Sequence, residues 1–321
     1  MTDRIHILSM GEMMPAVDAA LAQTFVVHQA NASGSADIAF AYGDRIRAIA
    51  TRGRQKTDAA LIARLPRLEI ISNFGVGYDS IDVPAAVSRG IVITNTPDVL
   101  NEEVADFTVG LLLSTIRELP QADRFLRDGK WLHGAYALTQ TLRDRTIGMV
   151  GMGRIGQAIA KRIAAFGVPI VYHSRKPQAG VSYKYYADLK SMASDVDTLI
   201  AIVPGGAATR HMINAEILAA LGSRGIVINV ARGSVVDQEA LIEALRTGII
   251  HGAGLDVFAD EPNVPSSLLV LPNAVLVPHV GSGTHHTRAV MGDLVVENLR
   301  SWFAGKGPVT PVVETPWPKA G

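Results

Sequence analysis

Three glycines, Gly151-x-Gly153-x-x-Gly156, stand where an apolar run at 145–151 gives way to Ile155, Ile159, Ile163 and Phe166 at helical spacing. A strand turning tightly into a helix suits a dinucleotide. Gly151 permits the turn, Gly153 lets the backbone approach a pyrophosphate, and Gly156 lets helix and strand pack closely. The helix N-terminus adds unpaired amides and the positive end of its dipole. Eighteen residues after Gly156, "VYHSRK" brings Ser174, Arg175 and Lys176 to the point where such sites commonly carry an acid for the ribose 2′-hydroxyl. A carboxylate there would repel a 2′-phosphate, whereas a hydroxyl followed by a guanidinium can hold one through charge-assisted hydrogen bonds. The expected cofactor is NADP(H), with NAD(H) possible. The competing reading is a strand end with solvated cations.

Three more β-like runs end in reactive residue types. They are "INVARGSVVDQEALIEAL" with Arg232, "GLDVFADEP" with Asp256 and Glu261, and "VLVPHVGSGT" with His279. In an open α/β sheet, ligands bind beyond the carboxyl ends of the strands. All three runs are therefore expected at the edge that carries the glycine turn. The residue types suit carbonyl reduction, which needs a polarised carbonyl and a proton for the developing alkoxide. An arginine anchors a carboxylate or carbonyl oxygen with its planar fork. A histidine is the natural general acid near neutral pH, and a neighbouring carboxylate favours imidazolium. Taken one at a time, each residue also has a structural reading: a helix-flanking charge, a turn histidine, a solvated acid.

The elements that must position these residues follow from the hydropathy pattern. Candidate strands lie at 4–8, 46–51, 68–74, 90–95, 145–151, 169–174, 197–204, 225–231, 252–258 and 273–279. Several are continuous apolar runs, as in a parallel sheet covered on both faces. Alternation with helical runs gives an α/β protein with right-handed crossovers. A helix over 101–119 is apolar around much of its circumference, so it is expected between domains or against a second chain. Another helix runs from about 284 to 303, and a proline-rich tail follows at 305–321.

With 321 residues the chain is expected to form about two domains. Thirty Lys plus Arg balance thirty Asp plus Glu, which gives no electrostatic reason to expect nucleic acid or an anionic membrane surface. There is no cysteine, so disulfides, thiolate metal sites and a cysteine nucleophile are excluded. No ligand cluster suggests a metal; His285 and His286 begin a helix and are expected to flank a site. No apolar run approaches signal-peptide or membrane-span length, and a cytoplasmic protein is the expectation.

"NFGVGYDSID", "GMGRIGQAIAKR", "NVARGSVVDQEALIEAL", "GAGLDVFADEP" and "LPNAVLVPHVGSGT" stand in the order and spacing of the D-isomer-specific 2-hydroxyacid dehydrogenases. The chain resembles that family over nearly its whole length. The branch it is most similar to is the glyoxylate/hydroxypyruvate reductases, including plant-type hydroxyphenylpyruvate reductases. "VYHSRK" is similar to their NADP-preferring members.

The resemblance implies two Rossmann-like doubly wound parallel-sheet domains with an interdomain active-site cleft. Residues 1–98 plus 285–321 would form the substrate domain, and 99–284 the dinucleotide domain. Arg232 would bind substrate, with His279 as acid/base paired to Glu261. The amides of Val76 and Gly77 would hold the substrate carboxylate. The cofactor would meet Gly151, Met152, Gly153, Arg154, Ile155, Gly156, Ser174, Arg175, Lys176, Val203, Pro204, Thr209, Val230 and Ala231. Asp256 would hold the nicotinamide carboxamide. A homodimer through 99–145 is expected, with Trp131 either reaching a partner subunit or simply packing. Arg52 would line the substrate mouth or be solvated. The expected reaction is NADPH-dependent reduction of a small 2-keto acid. A 3-phosphoglycerate dehydrogenase-like enzyme and a dinucleotide-sensing corepressor-like protein are the alternatives.

Overall fold

The computed structural model describes residues 4–30, 34–53, 55–315 and 317. The chain forms two compact units, one of residues 1–100 with 284–321 and one of residues 101–283.

The first unit is built on a five-stranded sheet of β1 (His6–Met10), β2 (Val26–Ala30), β3 (Ile46–Thr51), β4 (Ile70–Asn73) and β5 (Val92–Thr94). The order is β2-β1-β3-β4-β5 and every pairing is parallel. Parallel neighbours need helical crossovers, and the connecting helices supply them. The C-terminal helix His285–Phe303 also belongs to this unit. Thr284 caps it by accepting from the Thr287 amide at 3.2 Å. Gly292 on this helix is required by packing, since a Cβ there would lie 2.2 Å from Val17 Cγ2. Asn298, fully buried on the same helix, accepts from the amides of Val309 and Thr310 and donates to the Thr310 hydroxyl. It thereby folds the following chain back onto the sheet, where Pro311 bridges Thr94. Part of the proline-rich tail, residues 316 and 318–321, lies outside the described residues.

The second unit holds a seven-stranded sheet of β6 (Ile147–Val150), β7 (Ile170–His173), β8 (Lys184–Tyr186), β9 (Thr198–Ala201), β10 (Ile226–Asn229), β11 (Gly252–Leu255) and β12 (Ala274–Leu276). Its order is β12-β11-β10-β9-β6-β7-β8, again all parallel. Strands β6, β9, β10 and β11 are buried at every residue, as a sheet covered on both faces requires. The chain order reverses between β6 and β9. That is the switch point beyond whose carboxyl ends a doubly wound sheet binds its ligand. The fold class is therefore α/β with two parallel-sheet units.

The helix expected over 101–119 spans Asn101–Ile116, and a separate helix, Leu119–Arg127, follows. Its apolar face is used inside its own unit. Ala105, Leu111, Leu112 and Ile116 pack with Ile159 and Ile163 of helix Arg154–Ala164 in one buried cluster. The surface apolar residues lie further on, where Leu126, Trp131, Leu132 and Leu138 are exposed and no residue of Leu119–Arg127 is buried.

Among the described residues no helix is long and apolar enough to cross a membrane, and no group of three or more His, Asp or Glu converges as metal ligands.

Candidate active site

At the carboxyl end of β6 the three glycines divide their work. A Cβ on Gly151, whose φ is 105°, would lie 2.6 Å from the Ile202 carbonyl oxygen. A Cβ on Gly156 would lie 2.6 Å from the carbonyl oxygen of Gly151. Both positions are closed by neighbouring backbone. Gly153 differs, because a Cβ there would meet nothing within 4 Å. It is the N-cap of helix Arg154–Ala164 and puts no side chain over the helix amides. An open, uncapped helix start between two closed glycines fits a pyrophosphate. Met152 is buried beneath this turn, while Arg154 is exposed and Ile155 partly buried.

Beyond β7 the chain makes a turn through Ser174, Arg175 and Lys176. The Ser174 hydroxyl donates to the Lys176 carbonyl at 2.7 Å, and the Ser174 carbonyl accepts from Tyr185 at 3.2 Å. Arg175 and Lys176 are exposed. After β9, Val203 and Pro204 lead into a short 3-10 turn in which the Thr209 hydroxyl donates to the Pro204 carbonyl at 2.6 Å. Val230 and Ala231 follow β10 and are buried.

Arg232 sits on a turn built by a residue that sequence reasoning did not single out. Buried Asn229 accepts from the Ala231 amide at 3.1 Å and donates to the Arg232 carbonyl at 3.0 Å. The Arg232 guanidinium donates to the Ala231 carbonyl at 2.8 Å. Gly233 brings this turn against the next: a Cβ there would lie 1.9 Å from both the carbonyl carbon and the oxygen of Phe258. The Gly233–Phe258 and Tyr185–Ser174 contacts join residues distant in sequence, so no local signal announces them.

Glu261 and His279 meet directly. Glu261 Oε2 lies 2.7 Å from His279 Nδ1, and Oε1 accepts from the Phe258 amide at 3.1 Å. Burial pushes the Glu261 carboxyl up. The hydrogen bond from His279, its charge, the Phe258 amide and the Arg232 charge outweigh that and leave it below its ordinary value. His279 has φ 54°, in the left-handed region. A non-glycine residue there costs about 1–2 kcal/mol, and such strain persists only where the surroundings hold it. Asp256 supplies the hold. Its carboxylate, 3 % exposed, accepts from the amides of Val280 at 2.6 Å and Gly281 at 3.0 Å. Burial raises the Asp256 carboxyl, and these two amides and His279 only partly pull it back.

In the first unit, Val76 and Gly77 lie just past β4. Buried Asn73 donates to the carbonyls of Gly75 and Gly77 at 3.2 and 3.0 Å, and Asn95 donates to that of Val76 at 2.9 Å. With three successive carbonyls held by side chains, the amides of Val76 and Gly77 donate to no acceptor among the described residues. Consecutive unpaired amides form an anion-binding concavity. Arg52 packs its guanidinium over the Phe74 ring at 5.7 Å and donates to the Glu12 carbonyl at 2.7 Å.

Comparison with known proteins adds to this geometry. The family model for the D-isomer specific 2-hydroxyacid dehydrogenase NAD binding domain matches residues 109–281. The chain is 48 % identical to the glyoxylate/hydroxypyruvate reductase A of Arabidopsis thaliana, over 84 % of this chain and 86 % of that one. It is 46 % identical to the hydroxyphenylpyruvate reductase of Plectranthus scutellarioides, over 84 % and 86 %. A solved structure similar to it is an NADPH-dependent glyoxylate/hydroxypyruvate reductase from Sinorhizobium meliloti in complex with NADP and malonate. That structure has a TM-score of 0.93 and 49 % identity over 99 % of this chain and 100 % of that one.

The Glu261 carboxyl fixes a pH dependence. Its native pKa lies below its unfolded one, so its stabilisation is complete above the unfolded value, near 4.3, and is lost as pH falls through the native value. Glu261→Gln should lower Tm at neutral pH. The gap to the wild type should close as pH falls below about 4. A gap of constant size across that range would contradict the pairing.

Proposed function

Since the chain belongs to the D-isomer specific 2-hydroxyacid dehydrogenases, we propose that it reduces glyoxylate, hydroxypyruvate or a similarly small 2-keto acid with NADPH, giving the D-2-hydroxy acid. The observation that carries this reading is the His279–Glu261 pair, bonded at 2.7 Å on the strand edge that bears the open glycine turn. The names of the Arabidopsis relative and the Sinorhizobium structure support the substrate class and the cofactor.

Each residue has a task in this reading. Gly151, Met152, Gly153, Arg154, Ile155 and Gly156 receive the pyrophosphate, and Val203, Pro204, Thr209, Val230 and Ala231 border the cofactor. Ser174 and Arg175 bind the 2′-phosphate, with Lys176 adding an exposed charge. The reduced nicotinamide, when bound, supplies the hydride. The free amides of Val76 and Gly77 take the substrate carboxylate, and Arg232 engages the substrate with its planar fork. His279 holds Glu261 through Nδ1, so Nε2 is the nitrogen that gives the proton to the developing alkoxide. Glu261 stabilises the charged imidazole and fixes the ring. Asp256, with both oxygens on backbone amides, positions the His279 turn and keeps lone pairs for the nicotinamide carboxamide.

The assembly is a homodimer through the 99–145 region. Its covered surface is the exposed apolar stretch with Leu126, Trp131, Leu132 and Leu138, since the Asn101–Ile116 face is already buried within its own unit. A cytoplasmic location is part of the same proposal. Light scattering at micromolar concentration should give twice the chain mass of 34.2 kDa, and a monomer mass would refute the dimer.

The cofactor assignment is tested by kcat/KM for glyoxylate reduction with NADPH and NADH. A charge-assisted hydrogen bond contributes roughly 1.5–3 kcal/mol, so Arg175→Ala should cost about one to two decades with NADPH. NADH lacks the 2′-phosphate and should be used almost as before. An NADPH-to-NADH ratio equal in both proteins would overturn the assignment.

A further inference from the structure

The turn that follows β7 carries a conflict that rests on the 2′-phosphate reading above. The Ser174 hydroxyl has one proton, and the fold directs it to the Lys176 carbonyl at 2.7 Å. In that state the hydroxyl oxygen can only accept. A phosphate oxygen at neutral pH also accepts, so the two repel until the hydroxyl turns. Turning would take a donor from the Lys176 carbonyl. Gln178 already covers that loss, because its Nε2 donates to the same carbonyl at 3.2 Å.

Gln178 is itself fixed. Its backbone N–H donates to the hydroxyl of Tyr172 at 3.0 Å, and Tyr172, on β7, is 1 % exposed. The other end of the turn is held by the Tyr185 hydroxyl, which donates to the Ser174 carbonyl at 3.2 Å. His173 Nδ1 lies 3.0 Å from the Tyr186 carbonyl, tying β7 to β8 just before the turn. The backbone from Ser174 to Gln178 is thus held at both ends, and the serine proton is the part left to choose.

We propose that Gln178 is a specificity-determining positioning residue. It keeps the Lys176 carbonyl hydrogen-bonded, so that the single Ser174 proton is released to a 2′-phosphate. With a ligand that has a free ribose 2′-hydroxyl, the Ser174 proton stays on Lys176 and the serine oxygen accepts from the ribose. Gln178 therefore matters for the phosphorylated ligand and is nearly silent for the other.

The test is calorimetric binding of 2′,5′-ADP and 5′-AMP to the full chain, which needs no turnover. Gln178→Met keeps the side-chain length and removes the donor. It should weaken 2′,5′-ADP about three- to tenfold, the range of one neutral hydrogen bond, and leave 5′-AMP within about twofold. Tyr172→Phe, which loosens Gln178, should act in the same selective direction. In a Ser174→Ala background Gln178→Met should add no further loss, because the two residues act through one proton.

Equal weakening of both ligands, an additive loss in the Ser174→Ala background, or no change for 2′,5′-ADP would each overturn the proposal. Arg175→Ala, measured alongside, separates the two levels. If it weakens 2′,5′-ADP and Gln178→Met does not, only the role of Gln178 fails. If it leaves 2′,5′-ADP unchanged, the 2′-phosphate reading fails and this inference with it.

Discussion

A buried carboxylate holding two backbone amides is the interaction on which the site of the second unit depends. Asp256, at the end of β11, binds the amides of Val280 and Gly281. Those amides directly follow the one strained residue of the constellation, His279 at φ 54°. The His279 amide bonded to the Val277 carbonyl and the Gly283 amide bonded to that of Val280 also brace this turn, but without the carboxylate the two amides directly after His279 lose their acceptor. Gly281 completes the fit, because a Cβ there would lie 2.9 Å from Asp256 Oδ2. Keeping a carboxylate so deeply buried is unfavourable, as its raised pKa records. The cost is tolerated because charge-assisted bonds to amides are about twice as strong as neutral ones.

The same logic recurs at the other strand ends. A buried polar side chain bonds loop backbone, and the loop then presents something reactive. Asn229 shapes the turn that carries Arg232, and Gly233 presses that turn on Phe258, whose amide orients Glu261. Tyr172 and Tyr185 hold the turn of Ser174 and Arg175. In the first unit Asn73 and Asn95 turn three carbonyls inward and leave the amides of Val76 and Gly77 open. Each sheet contributes rigidity, and these side chains set direction. Preorganisation of this kind is how an active site avoids reorganising as charge develops.

What could be read in the sequence follows from burial. All ten strands expected from apolar runs are present, because their residues are covered on both faces. The two unforeseen strands, β2 and β8, each lie at one edge of their sheet, and β5 and β12 at the opposite edges were foreseen. The residues of β2 and β8 are mostly half-buried, so no continuous apolar run marks them. Gly151, Gly153 and Gly156 stood out by their local spacing, and Arg232, Glu261 and His279 by following apolar runs. The supporting contacts were not legible, although Asp256 itself stood among the candidates. Asp256 reaches amides 24 and 25 positions away, and Asn95 a carbonyl 19 away, with no pattern linking them. The helix after Asn101 shows a further limit. Its excess of apolar residues was plain, but hydropathy does not say whether a neighbouring helix or a second chain covers them.

The most direct measurement is Asp256→Asn, with kcat for NADPH-dependent glyoxylate reduction and the NADPH Kd from nicotinamide fluorescence taken on the same protein. An asparagine side chain offers one oxygen and turns an NH2 toward the second amide. The His279 turn should then relax and kcat should fall by roughly two decades, as when a preorganised donor is lost. The Kd should stay within about threefold, because the carboxamide is a single neutral contact and the pyrophosphate and 2′-phosphate contacts are untouched. A preserved kcat with NADPH bound tenfold or more weakly would show that Asp256 serves the cofactor and not the histidine, and would contradict the account.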